Sequence, residues 1–361
     1  MTKGGGLPPP FAYPIADDCA PLHRSRAQSG DFALPVLDYL GAKHRGAEAM
    51  LDQIKGLHHV TAMASGARAN NTFYTDTLGL RRVKKTVNFD APDVYHLYYA
   101  DEIGTPGTVM TYFPFPRAAR GRRGAGEVAL TSFAIPENSA TAWEARLRER
   151  HVENLARDSA FGAARVLFDG PDGERLALVE VAGDDRAPWT GGGVETEIAI
   201  RGFHSVEMLL RDKAPTVELL NFMGYREAGA ESAVTRYEIA GGNPANRIDI
   251  RVDPAAPRAQ QGAGSVHHIA FAVEDRAAQA EVAARLAEAG WQTTPQIDRD
   301  YFYAIYFRSP GGVLFEVATN EPGFDRDEER AHLGEGLKLP RQHEHLRAQL
   351  ERQLEPLGDE A

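Results

Sequence analysis

The chain has 361 residues, of which 43% are hydrophobic and 25% charged, and a formal net charge of -11. This is globular composition, and its acidity disfavours nucleic acid or an anionic membrane surface as partner, since both would repel the chain at long range. The length exceeds the usual single-domain size, so two domains or a set of repeated modules is expected, and the one cysteine, Cys19, excludes an intramolecular disulfide or a thiolate metal cluster and fits a reducing cytoplasm.

Residues 1–53 begin "MTKGGGLPPPFAYPIADDC", a Gly- and Pro-rich stretch without the apolar core of a signal peptide. We expect a flexible leader there, with a short helix over 40–53. No stretch approaches the roughly 20 apolar residues that span a bilayer. From about residue 54 the chain reads as four passes of one pattern, a strand, an amphipathic helix and further strands. The first two passes occupy 54–185 and the last two 194–320, with a domain boundary in "GDDRAPWTGGG" at 183–193 and a helical tail over 321–361. The fold class is α+β, built from four βαβββ modules.

The first pass opens with "GLHHVTAMA" at 56–64. Strand alternation groups His58 with Val60 and Ala62, and His59 with Thr61 and Met63. His59 is the better ligand candidate, and His96 in "VYHLYYA" reads as a packed strand histidine. The second and third passes serve as an internal control. At the strand-head position we place Phe133 and His204, and four residues after each turn glycine stand Thr111, Ala177 and Glu316. His204 reads as structural, with a second metal site on His204 and Asp249 as the weaker alternative.

The fourth pass opens with "SVHHIAFAV" at 265–273, where Ile269, Phe271 and Val273 share the bulky face with His267 and leave His268 on the other. Val282, Leu286 and Ala289 recur at helical spacing before Gly290, a natural stop. In "VLFEVAT", Val313, Phe315 and Val317 form the bulky face, so Glu316 joins His268 on the opposite one. A glutamate buried on a strand costs several kcal/mol unless something satisfies it, on the order set by a desolvated charge, and a cation would. Two imidazoles and a carboxylate are the facial set for non-haem Fe(II), which leaves neighbouring positions open for substrate and O2. In "DRDYFYAIYFRSP", Tyr306 points to the face of Glu316, and Arg299 precedes the strand. A phenol and a guanidinium there can hydrogen-bond substrate and steady developing negative charge, whereas the bland reading pairs Arg299 with Asp298 or Asp300. In the tail, Leu346, Leu350 and Leu354 make one apolar stripe that covers the chain's own barrel or a homo-oligomer partner, the former being favoured.

At "GLHHVT", "YHLYYAD", "GTVMTYFPFP", "GSVHHIAF", "DRDYFYAIYFRSPGGVLFEVAT" and the tail "GFDRDEERAHLGEGLKLP", the chain resembles the vicinal-oxygen-chelate superfamily, and within it the ring-cleaving dioxygenases acting on para-hydroquinones. The resemblance covers roughly residues 54–357. It implies two incomplete barrels, a metal site shared by the first and fourth modules, Fe(II) (or Mn(II)) on His59, His268 and Glu316, and substrate-handling roles for His58, Arg299 and Tyr306. Substrates would be a small aromatic ring and O2. Strict alternation turns His58 away from His59, so its implied role requires an irregular strand start. The rival readings are an extradiol catechol dioxygenase, a Zn- or Ni-dependent glyoxalase-type isomerase, against which Thr111 counts because a carboxylate is expected there, and a metal-free protein that binds an aromatic drug or quinone.

Overall fold

A computed structural model describes residues 50–358; the expected flexible leader and residues 40–49 of the expected helix lie outside the described residues, and 50–56 carry no helix. Each pass folds as a strand, a helix and three strands. The first contains β1 (Leu57–Ala64), α1 (Ala67–Thr72, followed by a π-helical turn at Phe73–Thr77), β2 (Arg81–Val87), β3 (Tyr95–Ala100) and β4 (Val109–Pro114). The second contains β5 (Glu127–Pro136), α2 (Ala140–Glu149), β6 (Ala156–Ala160), β7 (Ala163–Asp169) and β8 (Arg175–Val181). The third contains β9 (Gly202–Leu210), α3 (Ala214–Phe222), β10 (Arg226–Glu231), β11 (Val234–Glu238) and β12 (Arg247–Val252). The fourth contains β13 (Val266–Val273), α4 (Arg276–Glu288), β14 (Ile297–Asp298), β15 (Phe302–Arg308) and β16 (Leu314–Pro322).

The strands form two curled eight-stranded sheets, ordered β14-β15-β16-β13-β1-β4-β3-β2 and β10-β11-β12-β9-β5-β8-β7-β6. The first sheet therefore joins the first and fourth passes through the antiparallel pair β1–β13, and the second joins the middle two through β5–β9. The linker at 183–193 connects β8 to β9 within the second sheet, so each sheet draws on chain from both sides of it.

Alternation assigns the two faces of the first sheet. Val60, Leu97, Ile269, Phe271, Phe315 and Val317 belong to the large core beneath the helices, together with Val282 and Leu286 of α4. Asp275 starts α4 by accepting a hydrogen bond from Ala278 N, and Gly290 follows its end at φ +89°. The other, concave face carries a separate cluster that includes Tyr98, Ala270, Tyr301, Phe302 and Phe324.

The tail beyond β16 straps the β2 edge. Lys84 is fully buried, its ammonium 2.7 Å from Asp327 Oδ1 and 2.5 Å from Glu328 Oε2, over the Tyr301 ring. Arg81 donates to Ala331 O, Arg82 to Gly334 O, and Lys338 N to Lys85 O. The leucine stripe behaves as favoured: Leu350 on α5 (Arg347–Gln353) and Leu354 just past its end are buried in the chain's own core, although 341–346 coil as a 3-10 helix.

The two sheets meet beside a polar cleft of about 820 Å³ that contains none of the candidate ligands. At its wall the buried Glu174 accepts from Tyr112 Oη of β4 at 3.2 Å, and Tyr112 in turn lies 2.6 Å from Tyr74 Oη. Burial, aided by Asp172, pushes the Glu174 carboxyl from 4.5 up to about 7. A raised folded value means that the protonated form contributes stability fully below about 4.5, and that this is lost as pH rises through about 7. We expect a loss of about 3 kcal/mol across that window from this group, at 1.36 kcal/mol per unit. Denaturant unfolding at pH 5 and pH 8 checks it: Glu174→Gln should narrow the difference between the two pH values by that amount, and an unchanged difference contradicts the assignment.

Candidate metal centre

Strand register places every candidate ligand on the concave face of the first sheet. His59 of β1 stands opposite Ala270 of β13, Ala270 beside Glu316 of β16, and Glu316 opposite Tyr306 of β15. One row thus crosses four strands. In the adjacent row, His268 stands opposite Thr61, beside Thr111 of β4 and then Tyr98 of β3. Gly312, at φ +94°, closes the turn that sets β16 on course, with Gly312 N bonded to Ser309 O and Ser309 N to Val313 O.

His59 Nε2 lies 3.3 Å from His268 Nε2 and 3.5 Å from Glu316 Oε2, and His268 Nε2 lies 2.9 Å from the same oxygen. All three residues are buried, Glu316 completely. The other imidazole nitrogens face outward: His59 Nδ1 is 2.9 Å from His58 Nδ1, and His268 Nδ1 is 2.7 Å from His267 Nδ1. In each pair one ring must donate and the other accept. The arrangement that leaves both Nε2 lone pairs facing inward makes His59 and His268 the donors.

Three electron-pair donors then converge with no hydrogen between them, and neither carboxylate oxygen of Glu316 meets hydrogen-bond geometry. This is the test of fit to a cation. Three donors about 2.1 Å from one ion and at right angles stand about 3.0 Å apart, close to the observed triangle. Protonation agrees. Burial lowers His268 despite Glu316, and although burial alone would raise Glu316, the neighbouring imidazoles hold it well below the usual carboxylate range. A neutral imidazole at His268 and an ionised carboxylate at Glu316 are forms that bind a divalent cation.

Irregular strands explain the doubled histidines. The β1–β13 register shifts between Leu57 and His59 and again between Thr61 and Ala62, opposite His268 and Val266. At such bulges neighbouring side chains need not point apart, so His58 reaches His59 and His267 reaches His268. Burial, followed by the adjoining histidine, lowers both His58 and His267 to about 3, so each stays neutral and able to accept. His58 also hydrogen-bonds the Thr319 backbone. The sequence reading missed His267, although the second "HH" was its signal. Outer partners of this kind fix ring orientation, and their loss typically costs about 10- to 100-fold in metal affinity. We expect His58→Ala and His267→Ala each to weaken metal binding within that range in chelator competition; native affinity in both variants would contradict it.

Arg299 donates to Tyr306 Oη at 3.3 Å and pairs with Asp90 at 3.6 Å, not with Asp298 or Asp300. Asp90 lies in the β2–β3 connection, about two hundred residues away, and alternation gave no hint of it. Burial opposes the Arg299 charge, but Tyr306, Asp90 and Glu316 raise its pKa overall. Burial first, then Glu316, raises Tyr306, which stays a phenol. The Phe302 ring lies tilted against His59 with centroids 4.9 Å apart, and Phe113 meets His267 edge-on at 6.0 Å. His96, expected to be a packing residue, instead faces the concave side: Nε2 is 2.8 Å from Thr111 Oγ1 and Nδ1 is 2.8 Å from Tyr98 Oη.

The second sheet holds no equivalent site. Its register makes Ser205 the counterpart of His59, Leu130 of His268 and Ala177 of Glu316, which corrects the placement of His204 and Phe133 at the strand head; the bulges displace the count. His204 matches His58 and contacts Ser205 Oγ at 3.0 Å, while Asp249 is held bidentately by Arg236 at 2.8 Å. Among the described residues only His59, His268 and Glu316 gather as a candidate ligand cluster.

The sequence pattern described as the glyoxalase/bleomycin resistance protein/dioxygenase superfamily matches residues 56–178 and 211–317. The chain is 42% identical to "Putative ring-cleaving dioxygenase MhqO" of Bacillus subtilis, over 85% of this chain and 98% of that protein. It is 34% identical to a chlorohydroquinone/hydroquinone 1,2-dioxygenase of Sphingobium indicum, over 83% and 95% of the two chains. A crystal structure of a "putative dioxygenase" from Bacillus subtilis superposes with a TM-score of 0.81 at 42% identity, covering 84% of this chain and 97% of that one.

Proposed function

Because the chain belongs to the glyoxalase/bleomycin resistance protein/dioxygenase superfamily, we propose that its three convergent donors hold Fe(II), with Mn(II) as the alternative, in a ring-cleaving dioxygenase acting on hydroquinone-type rings. The observation that carries this reading is the buried His59–His268–Glu316 triangle, whose donor set suits non-haem iron, together with relatives named as ring-cleaving dioxygenases. Bound there, the metal would supply open positions and a path for ring electrons to reach O2. The rest is the work of this chain's side chains.

Phe302 and Phe113 supply flat apolar walls for an aromatic ring. Tyr306, kept protonated by burial, donates a hydrogen bond to a ring oxygen, and the Arg299 guanidinium holds that phenol in place and favours negative charge beside it. His58 and His267 keep the two metal-binding imidazoles oriented. The burial of the site excludes bulk water. A glyoxalase-type isomerase fits less well, since Thr111, where a carboxylate is expected, is hydrogen-bonded to Thr61 and His96. The single cysteine is compatible with a reducing cytoplasm.

The test is O2 uptake by protein loaded anaerobically with Fe(II). Hydroquinone should be consumed with one O2 per ring, giving a muconic semialdehyde, and faster than catechol. Preference for catechol would transfer the assignment to the extradiol class, and no uptake with any substituted hydroquinone or catechol would remove it.

A further inference from the structure

Across the sheet from the three ligands lies a polar chain with no part in the reading so far. Thr61 Oγ1 is 2.9 Å from Thr111 Oγ1, Thr111 Oγ1 is 2.8 Å from His96 Nε2, and His96 Nδ1 is 2.8 Å from Tyr98 Oη. All four groups are buried. Burial, then His59 and His268, keeps His96 neutral, and burial keeps Tyr98 a phenol. The four groups therefore carry one hydrogen each and form three links, so one hydrogen is always left over. With the spare hydrogen at Thr61, Tyr98 can accept a further bond; with it at Tyr98, the phenol can donate.

The ends are not equivalent. Thr61 lies two residues from His59 and opposite His268, beside the metal donors, whereas Tyr98 stands on β3, with β4 between it and β1. Two interstrand spacings put it about 10 Å across the sheet from the β1 backbone. A ring with one oxygen at the donor triangle reaches toward that wall with its para substituent; a ring whose two adjacent oxygens both face the triangle does not.

Resting on the dioxygenase reading above, we propose that Tyr98, oriented by His96 and Thr111, binds the hydroxyl group of the substrate that lies para to the metal-directed one, and thereby selects 1,4-diols over 1,2-diols and monophenols. Tyr98 is a specificity-determining residue in this assignment, and His96 and Thr111 position it. Either orientation of the chain serves a hydroxyl, which both donates and accepts.

Anaerobic calorimetry on protein loaded with redox-inert Zn(II) tests this directly, using hydroquinone, phenol and catechol. Wild-type protein should bind hydroquinone about tenfold more tightly than phenol, the consequence of one added hydrogen bond. Tyr98→Phe should bring that ratio to about one while leaving catechol binding and bound zinc unchanged, which a merely structural role would not do. Thr111→Val keeps the phenol but cuts the chain, and it should lower the ratio as well; it carries the test if Tyr98→Phe does not fold. A wild-type ratio retained in Tyr98→Phe, or in Thr111→Val where that variant stands in, overturns the assignment. Oxygen uptake by the iron-loaded wild type separates the two claims: uptake with hydroquinone together with an unchanged ratio removes Tyr98 alone, whereas absence of uptake removes the reading on which it rests.

Discussion

Glu316→Gln should fold like the wild type and retain almost no metal after gel filtration, with O2 uptake at background. Glutamine keeps the shape and the place opposite Tyr306, so the sheet has no reason to rearrange. What is lost is the only anionic donor of the triangle. A neutral amide oxygen is a far weaker partner for a divalent cation than a carboxylate in a buried site, where Coulomb attraction is little screened. The fall should exceed the roughly 10- to 100-fold typical of an outer partner such as His58. Elemental analysis of the purified, reconstituted variant measures it, and stoichiometric iron in Glu316→Gln would show that the triangle is not the site.

Lys84→Met should be strongly destabilising although it lies outside the candidate metal centre. Methionine keeps the length and apolar stem, so packing against Tyr301 survives, but Asp327 and Glu328 lose the cation they share. Breaking a buried ion pair by removing one partner costs about 3–5 kcal/mol, because the remaining charge is stranded. Asp327 is partly exposed and can rehydrate, whereas Glu328 cannot, so we expect the lower end, about 3 kcal/mol by denaturant unfolding. Because the pair is buried, added salt should rescue little. A loss below about 1 kcal/mol, the scale of an exposed pair, would mean that the latch is not closed in solution.

The modules and the three converging side chains were legible because they depend on short-range regularities. Four strand-helix-strand passes repeat along the chain, and alternation within "SVHHIAF" and "VLFEVAT" puts His268 and Glu316 on one face wherever the strands go. Three things were not legible. The bulges that let His58 and His267 touch their neighbours are departures from that same alternation. The partners of Arg299 and Lys84, Asp90 and Asp327 with Glu328, come from segments without periodicity, where only the closed sheet decides who meets whom. His96 looked like filler because a histidine in an apolar strand is usually core; its row across β3, β4 and β1 appears only once register is fixed.

The interleaving of passes has a consequence for biosynthesis. His59 and His268 are 209 residues apart, yet their strands are immediate neighbours. At about 5–20 residues per second, β1 leaves the ribosome roughly 10–40 s before β13 exists to pair with it. Meanwhile β5–β9, the core pair of the second sheet, can already zip together, so the inner half should mature first and the emerging β1 needs shelter from misplaced strand partners. Closing of the three-donor triangle is accordingly an event of the finished chain, and a ribosome that stalls before Glu316 leaves a product in which the triangle is incomplete.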